Sequence, residues 1–233
     1  MDTDRAIAGA ILVATGTFYL AVAHRYQQFT CYPSVCIAWF LLVYALCLVL
    51  HPPARASSSG DGFEDDIRRR TVYLAVGIMQ SLGLTFASSC LLKRMWQIIG
   101  RVCLGGLSGL ALAFYAMAMS PGGLVQSVGG RAAISVVGSV AVAAAQVYLP
   151  ARAFSACSAI LGAYMLVVGV DCCARTGYIN HIAVFTNLRL DVKYGAERPA
   201  MALQAVALGL AVLSVAVQRF LALLRFRKYV VGN

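Results

Sequence analysis

The chain has 233 residues, of which 61% are apolar and only 12% are charged, and its mean hydropathy is +0.78. Soluble domains average about 45–50% apolar and about 25% charged residues, so this chain lacks the polar residues that would cover a soluble domain. The formal net charge is +10, but the 19 Lys and Arg residues lie between apolar runs or at their ends. That distribution is typical of membrane anchors and excludes a nucleic-acid-binding protein.

Seven apolar runs organise the chain. A helix needs about 20 apolar residues to cross about 30 Å of hydrocarbon, and backbone polar groups cannot remain unsatisfied in lipid. The sequence therefore predicts an all-α fold, a polytopic transmembrane bundle of about seven helices that forms a single domain over residues 1–233. The predicted spans are residues 6–23, 34–50, 71–92, 98–119, 132–149, 153–170 and 200–224.

The first run has two interpretations. Arg5, the apolar core and the Ala-Val-Ala sequence at 21–23 resemble a secretory signal peptide with its cleavage site. However, residues 1–5 carry net negative charge and the run is longer than the usual apolar core of a signal peptide. We favour a retained helix; cleavage would leave six spans.

Two connections are long. Residues 51–70 contain a Ser-Ser-Ser-Gly stretch, four acidic residues and then three arginines, which predicts a flexible polar loop whose basic end anchors the third helix. Residues 172–199 carry apolar side chains at helical spacing, which fits either a short interfacial helix or a loop packed over the helix ends. These apolar residues are Ile179, Ile182, Phe185 and Leu188.

Charges at the two termini indicate an orientation. Asp2 and Asp4 lie near the start, whereas Arg225, Arg227 and Lys228 lie near the end. Basic residues favour the cytoplasmic side, and an odd number of spans puts the termini on opposite sides. We therefore predict an integral membrane protein with its N-terminus outside or lumenal and its C-terminus cytoplasmic. The plasma membrane and an endomembrane both remain open.

Small residues recur at helical spacing in two runs. Gly105 and Gly109 share a face of the fourth run, and Gly162 and Gly169 lie two turns apart on the sixth. Small residues let helix backbones approach closely in lipid. These faces predict either packing within one bundle or a surface for self-association.

Ionisable residues within membrane runs are costly and often functional. Arg101 lies close enough to the end of its run to extend toward the membrane surface. Asp171 ends the sixth run, and Arg175 follows four residues later. This pair predicts either a structural ion pair or a gate at the mouth of the helix.

Three glutamines lie inside apolar runs, and we expect them to be buried. A buried amide needs hydrogen-bond partners, so each residue either bridges helices or contributes to a transport path. The three are Gln80, Gln146 and Gln204.

The sequence predicts no catalytic, cofactor-binding or metal-binding residues. The eight cysteines include no C-x-x-C pair with downstream histidines, although Cys31 and Cys36 could face a lumen and pair. H-E-x-x-H, G-x-S-x-G and phosphate-loop motifs do not occur, and the last run contains no lysine for a retinal Schiff base. We do not expect an enzyme.

From residue 100 onward the sequence resembles one known family. The resemblance lies in LGGLSG at 104–109, GAYMLVVGVD at 162–171 and RTG at 175–177. These stretches are similar to the C-terminal half of the TM7S3/TM198-like domain family of seven-span membrane proteins. The first half matches only in the spacing of its spans and at residues 16–25. The resemblance implies a multi-pass membrane protein whose molecular activity is undefined.

Two functional hypotheses follow. The first is a non-enzymatic membrane scaffold that assembles with itself or with other membrane proteins. The alternative is a channel or transporter with a polar path near Asp171, Arg101 and Gln146. The lipid bilayer is the expected environment in both cases, and neither involves nucleic acid or a cofactor.

Overall fold

The structure, a computed structural model, describes residues 3–21, 27–50, 61–119, 125, 127–174, 176, 178 and 198–231. These residues form helices joined by turns, with no strand among them, which confirms the all-α prediction. In chain order the helices are α1 Thr3–Ala21, α2 Gln27–Leu50, α3 Asp61–Leu91, α4 Trp96–Ala118, α5 Val128–Tyr148, α6 Pro150–Ala174 and α7 Arg198–Val231.

Each of these helices includes most of one predicted apolar run. Five helices hold an apolar segment long enough to cross a membrane. These segments are Gln27–Leu46, Trp96–Ala118, Gly129–Tyr148, Ala153–Ala174 and Met201–Phe220. The other two helices carry shorter apolar segments, Ala6–Ala21 and Val76–Leu91. The chain is a multi-pass membrane protein.

The bounds of α3 correct the prediction of a polar loop at 51–70. The helix already begins at Asp61, so the second half of that segment is helical, while residues 51–60 lie outside the described part. Acidic residues suit a helix N-terminus because they complement its positive dipole end, and four of them occur between residues 61 and 66. Hydropathy predicts a helix only over the apolar residues, although a helix can continue beyond hydrocarbon.

A short connection joins α5 to α6. Ser127 caps α5, its Oγ accepting the backbone N–H of Gly130 at 3.2 Å. After α5 ends at Tyr148, Leu149 leads directly to Pro150, the first residue of α6. Proline suits this position because it lacks an N–H that would be unsatisfied there. The two helices can therefore follow one another with almost no loop.

The described helices divide into two compact units. Unit 1 comprises Met1–Gln27 and Leu104–Asn233, and therefore contains α1, most of α4, α5, α6 and α7. Its centre is α6, which packs against α1, α5 and α7 and is the most deeply buried of the five long apolar segments. Two apolar clusters fill the space around α6 and share the side chain of Tyr164. Their buried members are Ala113, Phe114, Met117, Ala118, Val167, Val168, Tyr178 and Ala207.

Unit 2, Gln28–Cys103, contains α2, α3 and the start of α4. Its core consists of Cys31, Val35 and Trp96, against which Trp39, Ile99 and Cys103 pack. Cys31 and Cys36 both lie on α2 and no disulfide joins them, so the structure does not show the disulfide considered from the sequence. Cys31 packs against Gly100, whereas the Cys36 sulfur lies 3.7 Å from the Ser81 hydroxyl oxygen on α3.

Candidate functional site

In unit 1, α1 packs against α6 through glycines. A Cβ atom on Gly169 would lie 2.8 Å from the carbonyl oxygen of Gly9, and one on Gly162 would lie 2.9 Å from that of Gly16. Real Cβ atoms essentially never come within 3.0 Å of such atoms. The two helices therefore run antiparallel with their backbones in contact. Gly162 and Gly169, proposed from the sequence as packing residues, both lie in this contact.

The other predicted glycine face, on α4, packs against α5. A Cβ on Gly105 would lie 2.8 Å from the Cα of Ala143, and one on Gly109 would lie 2.8 Å from the carbonyl carbon of Gly138. Both glycine faces identified from the sequence thus lie inside unit 1. They are occupied by this chain's own helices, so neither is open to a second copy.

Gln146 on α5 is the most unusual polar residue of unit 1. Its side chain lies over Gly105 and is only 1% exposed. Neither its Oε1 nor its Nε2 makes a hydrogen bond of ordinary geometry to a described residue. Its nearest polar surroundings include the thiol of Cys157, a weak hydrogen-bonding group. An amide buried in this way typically costs about 1–3 kcal/mol.

Gln218 on α7 joins three helices. Its Nε2 donates to the carbonyl oxygen of Leu20 at 3.0 Å, and its Oε1 accepts from the Ser155 hydroxyl of α6 at 2.5 Å. The Ser214 hydroxyl donates to the same Leu20 oxygen at 3.0 Å. Leu20 lies in the last turn of α1, where carbonyl groups have no partner within the helix. Gln218 and Ser214 therefore cap the C-terminal end of α1.

Gln204 caps the C-terminal end of α4 in the same way. Its Nε2 donates to the carbonyl oxygen of Tyr115 at 2.7 Å, and Tyr115 lies in the last turn of α4, which ends at Ala118. The side chain is only 6% exposed. The sequence left open whether Gln204 bridges helices or lines a path, and the structure places it as a bridge between α7 and α4.

Asp171 lies in the last turn of α6 and is only 2% exposed. Its Oδ1 accepts the backbone N–H of Thr176 at 2.8 Å and also the Thr176 hydroxyl. The carboxylate thus holds the chain that leaves α6. Arg175, its predicted partner, lies outside the described residues.

Comparison with known proteins decides the family. A family model for the TM7S3/TM198-like domain matches residues 9–219. The chain belongs to the TM7S3/TM198-like domain family. The match begins within α1 and ends within α7, so it covers the first half that sequence motifs alone related only weakly to the family. No curated protein and no solved structure matches the chain.

In this TM7S3/TM198-like protein, the remaining candidates lie in unit 2. Arg101 on α4 is half-buried and close enough to Cys31 to interact electrostatically with it. Gln80 on α3 is exposed, so the expectation that it is buried was wrong. Apolar runs do not reveal which side of a helix faces its neighbours, and Gln80 points away from the contacts that bury Ser81 and Gly77.

The polar and glycine residues described above connect helices by hydrogen bonds and by close packing. Among the described residues, no group of three or more His, Cys, Asp or Glu side chains is placed to hold a metal ion. Three residues of this TM7S3/TM198-like protein that bond between helices were not among the predicted site residues: Gln218, Ser155 and Ser108. The Ser108 hydroxyl donates to the Cys157 carbonyl oxygen at 3.0 Å. Gln218 could have been predicted, because it is a glutamine within an apolar run, as Gln204 is.

Proposed function

We propose that this protein is a non-enzymatic membrane scaffold, which works by assembling with itself or with other membrane proteins. The observation that carries the proposal is the packing of unit 1. Its central helix is surrounded by apolar clusters, and its buried glutamines 204 and 218 bond to the ends of neighbouring helices. A core filled in this way leaves little room for a solute path. It therefore favours a rigid scaffold over a channel or transporter.

Assembly needs a helix face that the bundle has not already used. On α7, three small residues at positions 205, 209 and 216 share one exposed face. A Cβ on Gly209 would meet nothing within 4 Å. In lipid, such small-residue faces allow helices of separate chains to approach closely. This face is where a test of self-association is best placed.

Energy transfer between two labelled populations of the protein in liposomes tests the proposal. We expect transfer to persist as lipid dilutes the protein, and Gly209→Leu to abolish it by separating the two α7 helices. Gly83→Leu is the matched control, because Gly83 is also exposed with nothing within 4 Å but lies on α3. Loss of transfer on simple dilution of the unmodified protein would remove self-association from the proposal.

A channel or transporter is the second candidate, and one observation favours it. Gln146 is buried with no hydrogen-bond partner of ordinary geometry among the described residues, as a residue awaiting a solute would be. The test measures ion and solute flux in proteoliposomes for the unmodified protein and for Gln146→Leu and Asp171→Asn. We expect flux at the level of protein-free liposomes. Flux that Gln146→Leu abolishes, with assembly intact, would replace the scaffold by a transporter.

We also propose that the N-terminus is outside or lumenal and that the C-terminus is cytoplasmic. In this orientation Lys93 and Arg94, in the turn between α3 and α4, are cytoplasmic, as are the basic residues near the chain's end. The basic residues that follow the last apolar run and the acidic residues Asp2 and Asp4 support this orientation, whereas the number of Lys and Arg residues on each side does not decide it.

A further inference from the structure

We draw no further inference here: the strongest candidate, the side-chain cluster of Gln146, Ser108 and Cys157 where α4, α5 and α6 meet in unit 1, belongs to the site already described, and the described residues enclose both polar atoms of its amide, so nothing there points to a ligand.

Discussion

Two glutamines of α7 hold the ends of other helices, and this role can be measured one residue at a time. Gln218→Leu removes the donor to the Leu20 carbonyl and the acceptor of the Ser155 hydroxyl. We expect a loss of about 1 kcal/mol in the free energy of unfolding, because hydrogen bonds between membrane helices are worth about 0.6 kcal/mol on average and at most about 1.7. Unfolding of the detergent-solubilised protein by a denaturing detergent measures the loss.

Gln80→Leu is the control for that measurement. It makes the same chemical change within an apolar helix segment, but Gln80 is exposed and no helix end depends on it. Its free energy of unfolding should stay at the value of the unmodified protein. Equal losses for the two substitutions would mean that leucine itself, rather than the lost cap of α1, causes the effect.

The glutamines also show what the sequence can predict at this scale. That a polar amide inside an apolar run needs a partner follows from elementary chemistry, and it holds for Gln204. Which glutamine faces inward depends on the rotation of each helix about its axis. The apolar runs are hydrophobic on all sides, so they carry no periodic signal for that rotation. Gln80 was therefore misplaced, whereas Gln146 is buried as expected.

At the scale of helices, the contact between α1 and α6 predicts how much a glycine-to-alanine substitution there destabilises the protein. Gly162→Ala puts a methyl group against the backbone of α1, and we expect it to destabilise the protein by about 1–3 kcal/mol, as overpacking of a tight core does. Gly83→Ala adds the same methyl group on α3, where nothing lies within 4 Å, and it should be neutral or slightly stabilising because alanine favours helix. Thermal unfolding in detergent compares the two variants. Similar melting temperatures for both would contradict the backbone contact.

The same contact bears on the fate of α1. Its glycines fit those of α6, its last turn accepts hydrogen bonds from α7, and the family match begins within it. Removal of α1 would expose the glycine face of α6 and leave Gln218 and Ser214 without their acceptor. We therefore expect α1 to be retained rather than cleaved as a signal peptide. The intact mass of the protein purified from a eukaryotic membrane should include residues 6–23, and a mass that starts after Ala23 would refute this expectation.

Within the part of the chain that the structure describes, hydropathy predicted where the helices form but not how long they are. Each apolar run marks a segment that must form its own backbone hydrogen bonds in lipid, which is why each of the seven runs overlaps a described helix. That requirement ends at the membrane surface, where α3 and α7 continue through charged residues. Their extensions depend on helix propensity and capping, which a hydropathy pattern does not report.

For the molecule as a whole, contacts between residues distant in sequence decide which helices pack together, and hydropathy does not predict these contacts. Unit 1 joins the first helix to the last four, because α1 finds its complementary glycines on α6. The sequence predicted glycine faces on α4 and α6 but could not pair them with their partners. Pairing needs the complementary face to be known, and many small-residue faces in this chain are chemically alike. The prediction of a single domain over residues 1–233 stays a prediction.

The orientation of the whole chain can be tested with two glycosylation acceptors. The sequence contains no Asn-x-Ser/Thr acceptor, and Ser57→Asn creates one at residues 57–59. With the N-terminus outside, the segment between α2 and α3 is lumenal during synthesis, so we expect this variant to gain one glycan. An acceptor appended after Asn233 should stay unmodified, because the last helix ends on the cytoplasmic side. Both variants are compared by gel mobility before and after glycosidase treatment of microsomes. A glycan on the appended acceptor, with none at position 57, would reverse the orientation and place Lys93 and Arg94 on the lumenal side.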